Sequence, residues 1–368
     1  MNTERKRRIY ELDLLRGIFI IIIIIDHLQF WPSPFTYLTG EGRLWVSAAE
    51  GFFLISGLLI GYIRAYKGQY TPLRIIAKKL LKRAGMLYAW GVGLTLLITG
   101  YVLLVGLNNH PLLPALPASE QLATPWVFLW NVISTNYFNS WVYFLRLYAI
   151  MLAVTPLFLW MIRKGYWRVI PFISIGCYAI SWVFPEGALQ WQVLFFGAAL
   201  FGYKLESIAD WLHARPIIKK LLLSSLIAFT ATTFVLSYFF VHGWQDIDRG
   251  HTLMDRSTYD SLRQLIDPWF SSNPMAIGRL LLSFIWFGGI LAVVHLLRKP
   301  FLRYGKWLLV PLGDRSLSAY CLQAVLLVVV VVVIPHGSYW YNTLVTILAV
   351  LGIWWLLKQP IIEKILPR

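Results

Sequence analysis

The chain is 368 residues long, 58% hydrophobic and only 14% charged, with a mean hydropathy of +0.64. Soluble domains carry about 25% charged residues, so these figures exclude an ordinary soluble enzyme, and such hydrophobicity excludes a disordered chain. The formal net charge of +16 invites a nucleic-acid partner, but placement decides what charges mean, and none is expected here.

Crossing a bilayer takes about 20 mainly apolar residues. Ten segments qualify in chain order: roughly 12–30, 44–66, 84–106, 141–162, 168–184, 189–203, 220–241, 277–297, 316–334 and 341–358. The segment 189–203 is short and suits a thin region. Trp126–Ser134 is too short to span and reads as a re-entrant or surface helix on the outer side. Val325–Val333 is β-branched, yet a lone strand leaves its backbone unsatisfied in lipid, so a helix is predicted. The expected fold class is all-α: a polytopic membrane helix bundle of about ten transmembrane helices in one domain over residues 1–368. Two long outer loops, about 107–140 and 242–276, are placed to cover an outward-facing site.

Lysine and arginine set the orientation. The N-terminal run Arg5-Lys6-Arg7-Arg8 is basic, and so is every second connection: 64–83, 163–168, 204–220, 298–315 and the C-terminus. With ten spans, 26 of the 33 Lys and Arg fall on one side, so both termini are expected to be cytoplasmic. Five lie opposite (Arg43, Arg249, Arg256, Arg263 and Arg279), and Arg16 and Arg146 lie within spans. Segment 12–30 is long for a signal-peptide core, and no cleavable leader is evident. Cys177 and Cys321 sit in different spans, giving no support for a disulfide or a Cys-based metal site.

Ionisable groups inside spans are the first candidates for function. The first helix holds Asp13, Arg16, Asp26 and His27 around an isoleucine run. An 11-residue step returns His27 to the face of Arg16, about 16 Å along the axis. Glu50 enters the second helix at a similar depth. An imidazole beside a carboxylate is a tuned general base; the same pair equally well docks two helices. Asp26 points about 100° away from His27 and is the weaker partner. Arg146 sits near the outer end of the fourth span. It either clamps a carboxylate, such as the free end of a dicarboxylic acyl group, or snorkels to headgroups. Gln323 is placed to hydrogen-bond inside the bundle. The outer loop carries Asp246, Asp248, His251, Asp255, Asp260 and Asp267, but Arg249, Arg256 and Arg263 are interleaved, the pattern of a solvated face. No metal is expected.

Leu12-Asp13-Leu14-Leu15-Arg16-Gly17, leading to Asp26-His27, resembles the opening of integral-membrane acyltransferases of the acyltransferase-3-like families. The run Ser47-Ala48-Ala49-Glu50-Gly51-Phe52-Phe53-Leu54-Ile55-Ser56-Gly57 resembles the second-helix signature of their OpgC branch, the glucan succinyltransferases. Leu145-Arg146-Leu147-Tyr148, Trp191-Gln192-Val193-Leu194-Phe195-Phe196-Gly197 and Gly313-Asp314-Arg315-Ser316-Leu317 are similar to that branch in order and spacing. Arg146 and Gln323 depart from the pattern, standing where proline and, in the wider families, histidine are expected.

The resemblance implies a succinyl-CoA or acetyl-CoA donor from the cytosol, an extracytoplasmic glycan or glycolipid acceptor hydroxyl, and a multi-pass protein of the bacterial plasma (inner) membrane. It implies His27 as base or transient acyl carrier; Glu50, and more weakly Asp26, are the assisting carboxylates expected from the depth and direction given above. Arg16 would meet the donor, with CoA phosphates among Lys78, Lys79, Lys82 and Arg83; Arg146, read from its position rather than from the resemblance, is expected with Tyr148 to bind substrate. Membrane lipids are expected partners, and homo-oligomerisation stays open. The rival reading of the same charges is a transporter or flippase for an envelope glycan or lipid intermediate, although no inverted repeat is evident.

Overall fold

A computed structural model of the chain describes residues 10–107, 111–251 and 254–366; the run Arg5-Lys6-Arg7-Arg8 and Arg368 lie outside these. Among the described residues there is no β-strand. The ten principal helices are α1 (Tyr10–Leu28), α2 (Ala48–Leu59), α3 (Leu73–Val105), α4 (Tyr143–Arg163), α5 (Ile170–Ile180), α6 (Gly187–Tyr203), α7 (Pro216–His242), α8 (Ile277–Leu296), α9 (Ser316–Val333) and α10 (Tyr339–Leu356). Each falls on one of the ten predicted segments, and Val325–Val333 is helical as lipid requires. Among the described residues, 7 helices are long and apolar enough to cross a membrane: α2 with its continuation to Tyr66, α3, α4, α7, α8, α9 and α10. The other three differ for visible reasons. The first, α1, carries Glu11, Asp13, Arg16 and Asp26 in 19 residues. The others are short: α5 has 11 residues and α6 has 17. The chain is therefore an all-α helical membrane bundle.

Helices in lipid gain little from burying apolar surface against one another and associate through close packing over small residues. Here α2 and α6 meet backbone to backbone. A Cβ added at Gly57 would stand 2.0 Å from the carbonyl oxygen of Phe195, one at Gly61 1.8 Å from that of Ala199, and one at Gly202 2.0 Å from that of Leu58. Just there the second helix relaxes into a π-helix over Ile60–Tyr66. Gly61→Val would set two methyls against rigid backbone, and overpacking of this kind costs about 1–3 kcal/mol or more. A lower thermal midpoint of the detergent-solubilised protein is expected by scanning fluorimetry; an unchanged midpoint would show that the two helices tolerate separation.

The same device seats α1 on the short helix Lys306–Asp314. Cβ atoms at Gly17 and Gly313 would lie 2.2 Å from Leu309 O and 1.8 Å from Asp13 O. Arg298 donates to Glu11 at 3.1 Å, Arg315 to Leu357 O at 2.6 Å and to Glu363 at 2.9 Å, and Arg163 to Thr71 O at 2.7 Å. Arg16, Arg83 and Arg315 line one common cleft. The start of α1, the basic connections and the segment after α10 thus gather at one end of the bundle.

The first long loop folds back on the bundle. Its helix Pro125–Ile133 is N-capped by Thr124, and Ile133 O accepts the Tyr88 hydroxyl. Further along, Tyr137 meets Thr99 at 3.2 Å and Asn139 N donates to Thr95 Oγ1 at 3.4 Å. Because α3 runs on to Val105, this loop packs back along α3 from Thr99 to Tyr88. In the second loop Arg256 bridges Asp248 and Asp260 at 2.9 and 3.0 Å, with all three side chains nearly half exposed. Hydrogen bonds from Ser257 and Thr258 hold the Asp255 carboxyl below the usual carboxylate range. These charges pair with one another on the surface, as their interleaving predicts.

Candidate functional site

His27 sits one residue before the end of α1, and its Nδ1 lies 3.1 Å from Nε2 and 3.2 Å from Oε1 of Gln323. Gln323 is fully buried, 7 residues beyond Ser316, so it stands about 10 Å inside α9. The imidazole also stacks on Trp141, with ring centroids 5.6 Å apart and planes 13° off parallel. Trp141 is held in turn: its N–H donates to Asn139 Oδ1 at 3.1 Å, and its carbonyl accepts the Tyr320 hydroxyl at 2.6 Å. The loop that folds back from α3 thus delivers an aromatic plate against the histidine, and α9 supplies an amide to one ring nitrogen. A His with one nitrogen hydrogen-bonded and its plane fixed is a positioned imidazole.

The expected His27–Glu50 couple is corrected by this arrangement. Glu50 is completely buried, but both of its oxygens are occupied elsewhere. Oε1 accepts from Arg279 Nε at 2.6 Å, and Oε2 accepts from the Ser47 backbone at 2.9 Å and from the Ser47 hydroxyl at 2.5 Å. The cause is local and legible: Ser47 and Glu50 form a capping box on α2, which turns the carboxylate back on its own helix start. Arg279 completes the site from α8 and also donates to Leu44 O at 3.3 Å. Glu50 therefore closes a buried ion pair between α2 and α8. Arg279, by charge placement one of the five outer cations, lies inside the predicted span 277–297. That an arginine inside a span needs a partner was the available signal.

Asp26 is not joined to His27 either. It hydrogen-bonds Thr39 and lines a separate groove between α1, α7 and α8. The structure thus separates the three expected catalytic side chains and gives His27 a neutral amide in place of a carboxylate.

Arg16, Arg83 and Tyr148 line a narrow cleft of about 60 Å³ with Asp314, Arg315 and Tyr320. The Nε of Arg16 is buried without a hydrogen-bond partner. Ile23, one turn before His27, lines the same cleft. Its inner wall therefore reaches Tyr320, whose hydroxyl holds the plate under His27. Lys78, Lys79 and Lys82 stand exposed on α3 and do not line it. Tyr148, expected beside Arg146 at the substrate, belongs to this cleft instead. Arg146 already holds a carboxylate from its own chain: Nη2 donates to Glu186 at 3.1 Å and Nη1 to the Tyr143 hydroxyl at 3.0 Å. A dicarboxylic acyl group would have to displace Glu186.

Fold and site together define an integral-membrane helix bundle with a positioned imidazole inside it and a cationic cleft that reaches Tyr320, the residue holding the aromatic plate beside that imidazole. The family described as OpgC protein matches residues 8–358, nearly the whole chain, and the chain belongs to that family. Membership supports a transferase role in glucan modification. No curated protein and no solved structure matches the chain significantly.

Proposed function

We propose that the protein is an O-acyltransferase of a bacterial inner membrane, moving a succinyl or acetyl group from acyl-CoA at the basic end of the bundle to a hydroxyl of an extracytoplasmic glycan or glycolipid. The observation that carries this reading is the cleft lined by Arg16, Arg83, Arg315, Ile23 and Tyr320, which sets three arginines near Tyr320, the residue that holds Trp141 against His27. Arginines gathered in such a cleft favour a phosphate-bearing donor.

In this reading the Nδ1–H of His27 donates to Gln323 Oε1, which leaves the Nε2 lone pair free as base. Nε2 takes the proton of the acceptor hydroxyl as its oxygen attacks the thioester carbonyl. The carbon–sulfur bond breaks, and the imidazolium returns the proton to the leaving sulfur. Trp141 holds the ring plane throughout, so no ordering of the imidazole is needed at the moment of reaction.

The test uses membrane vesicles carrying the protein, labelled succinyl-CoA or acetyl-CoA, and a periplasmic-type glucan. Transfer of label to glycan hydroxyls is expected. Arg16→Gln is expected to raise KM for acyl-CoA by roughly tenfold, the worth of one lost charge-assisted hydrogen bond, with a smaller change in kcat. Glycan that crosses the membrane without acquiring acyl groups would instead make the protein a transporter.

A further inference from the structure

A groove of about 370 Å³ runs along α6 between α5 and Phe284 of α8, within the roughly 300–1,000 Å³ of ordinary ligand sites. It follows from how the three helices meet. The Ser174 hydroxyl of α5 donates to Gln192 Oε1 at 2.7 Å, and Gln192 Nε2 donates to Ser174 O at 2.8 Å, which fixes α5 on one flank of α6. On the other flank the Phe284 ring rests on Gly197, where a Cβ would stand 2.8 Å from it. The α6 surface between these contacts stays uncovered. Ile175 and Phe201 line the groove and are exposed, so it opens sideways, to lipid.

Val193, Gly197, Leu200 and Lys204 line it at helical spacing, down one face of α6 and its end. From Val193 to Lys204 is an 11-residue step, about 16 Å, or half of the roughly 30 Å hydrocarbon core. The apolar stripe is thus as long as one leaflet. Its end is basic. Lys204 Nζ lies 4.4 Å from the centre of the Trp167 ring and 4.9 Å from that of Tyr203, and the Arg168 guanidinium lies 5.2 Å from the Trp167 ring. Both cations sit in the basic connections that mark the inner side, and Trp and Tyr are the side chains of the headgroup level. Among the described residues neither cation pairs with a carboxylate, and no Asp or Glu lines the groove. Glu206, close in sequence, instead accepts the Tyr62 hydroxyl at 2.7 Å.

From this charge pattern we propose that the groove holds an acyl chain of an anionic phospholipid of the cytoplasmic leaflet, with its phosphate on Lys204 and Arg168. A neutral lipid would leave both cations uncompensated, whereas a net negative head is attracted by each of them. The site is distinct from the cleft of Arg16 and stands whether or not His27 transfers an acyl group.

The experiment is photolabelling of the whole protein in nanodiscs with a phosphatidylglycerol carrying a diazirine in its acyl chain. A phosphatidylcholine of the same chains is the comparator, and label on α10 is the internal reference for general contact with lipid. Relative to α10, phosphatidylglycerol is expected to label peptides around Ile175 and Leu200 roughly 25-fold more than phosphatidylcholine, about fivefold for each cation. Lys204→Gln is expected to lower that preference about fivefold, Lys204→Arg to keep it, and Ile175→Trp to remove the label by filling the groove. Equal label from the two lipids would overturn the proposal. So would two chains in each nanodisc with the groove labelled by neither lipid, which would make it a contact between copies. The comparison of probes on the unaltered chain decides the matter even where a variant fails to fold.

Discussion

Replacing His27 by alanine is expected to lower acyl transfer from succinyl-CoA or acetyl-CoA by at least about a hundredfold, because a positioned general base contributes roughly 10²–10⁴. The side chain lies between Trp141 and Gln323, so its loss leaves a small space and should move the thermal midpoint far less than the rate. Gln323→Leu makes a sharper companion. It keeps the volume near His27 but removes the acceptor that fixes the Nδ1 proton, at 3.2 Å. The imidazole can then protonate on either nitrogen, and a fall of about tenfold in kcat is expected with KM for acyl-CoA nearly unchanged. Vesicle assays of both variants, read beside their melting curves, check this. Wild-type transfer by His27→Ala would move the chemistry to another residue, and a collapse of both melting curves would make the His27–Gln323 contact a structural bond alone.

The second large effect concerns Glu50 and Arg279. Their side chains are 0% and 9% exposed and 2.6 Å apart. Breaking a buried pair by removing one partner leaves a charge without compensation and costs about 3–5 kcal/mol. Glu50→Gln and Arg279→Met are each expected to lose most folded protein in fluorescence-detected size exclusion. The double replacement Glu50→Leu with Arg279→Met leaves no charge behind, and such apolar exchanges are often neutral or stabilising, so it should recover the folded peak. This inverts what a catalytic carboxylate would show, namely a stable Glu50→Gln protein with little activity and no rescue from Arg279→Met. That pattern would return Glu50 to the reacting centre.

The amino-acid sequence by itself determined the helices. Apolar length, the cost of unpaired backbone in lipid and the bias of Lys and Arg place ten segments, and all ten are helical, because these constraints act along the chain and need no partner. It also marked Arg16, Asp26, His27 and Glu50 as anomalies, since a charge in a span is conspicuous without knowledge of its neighbours. Only the tertiary structure decided how those anomalies combine. Depth along an axis put His27 near Glu50, but depth says nothing about which flank of a helix meets which neighbour. His27 found Gln323, 296 residues away, and Glu50 found Arg279, 229 residues away. Those partners follow from glycine contacts that seat α1 and α2 in particular rotations, and from the loop after α3 folding back to bring Trp141 beneath the ring. Spacing within one helix fixes a direction; which group waits in that direction is set by the packing of all the others.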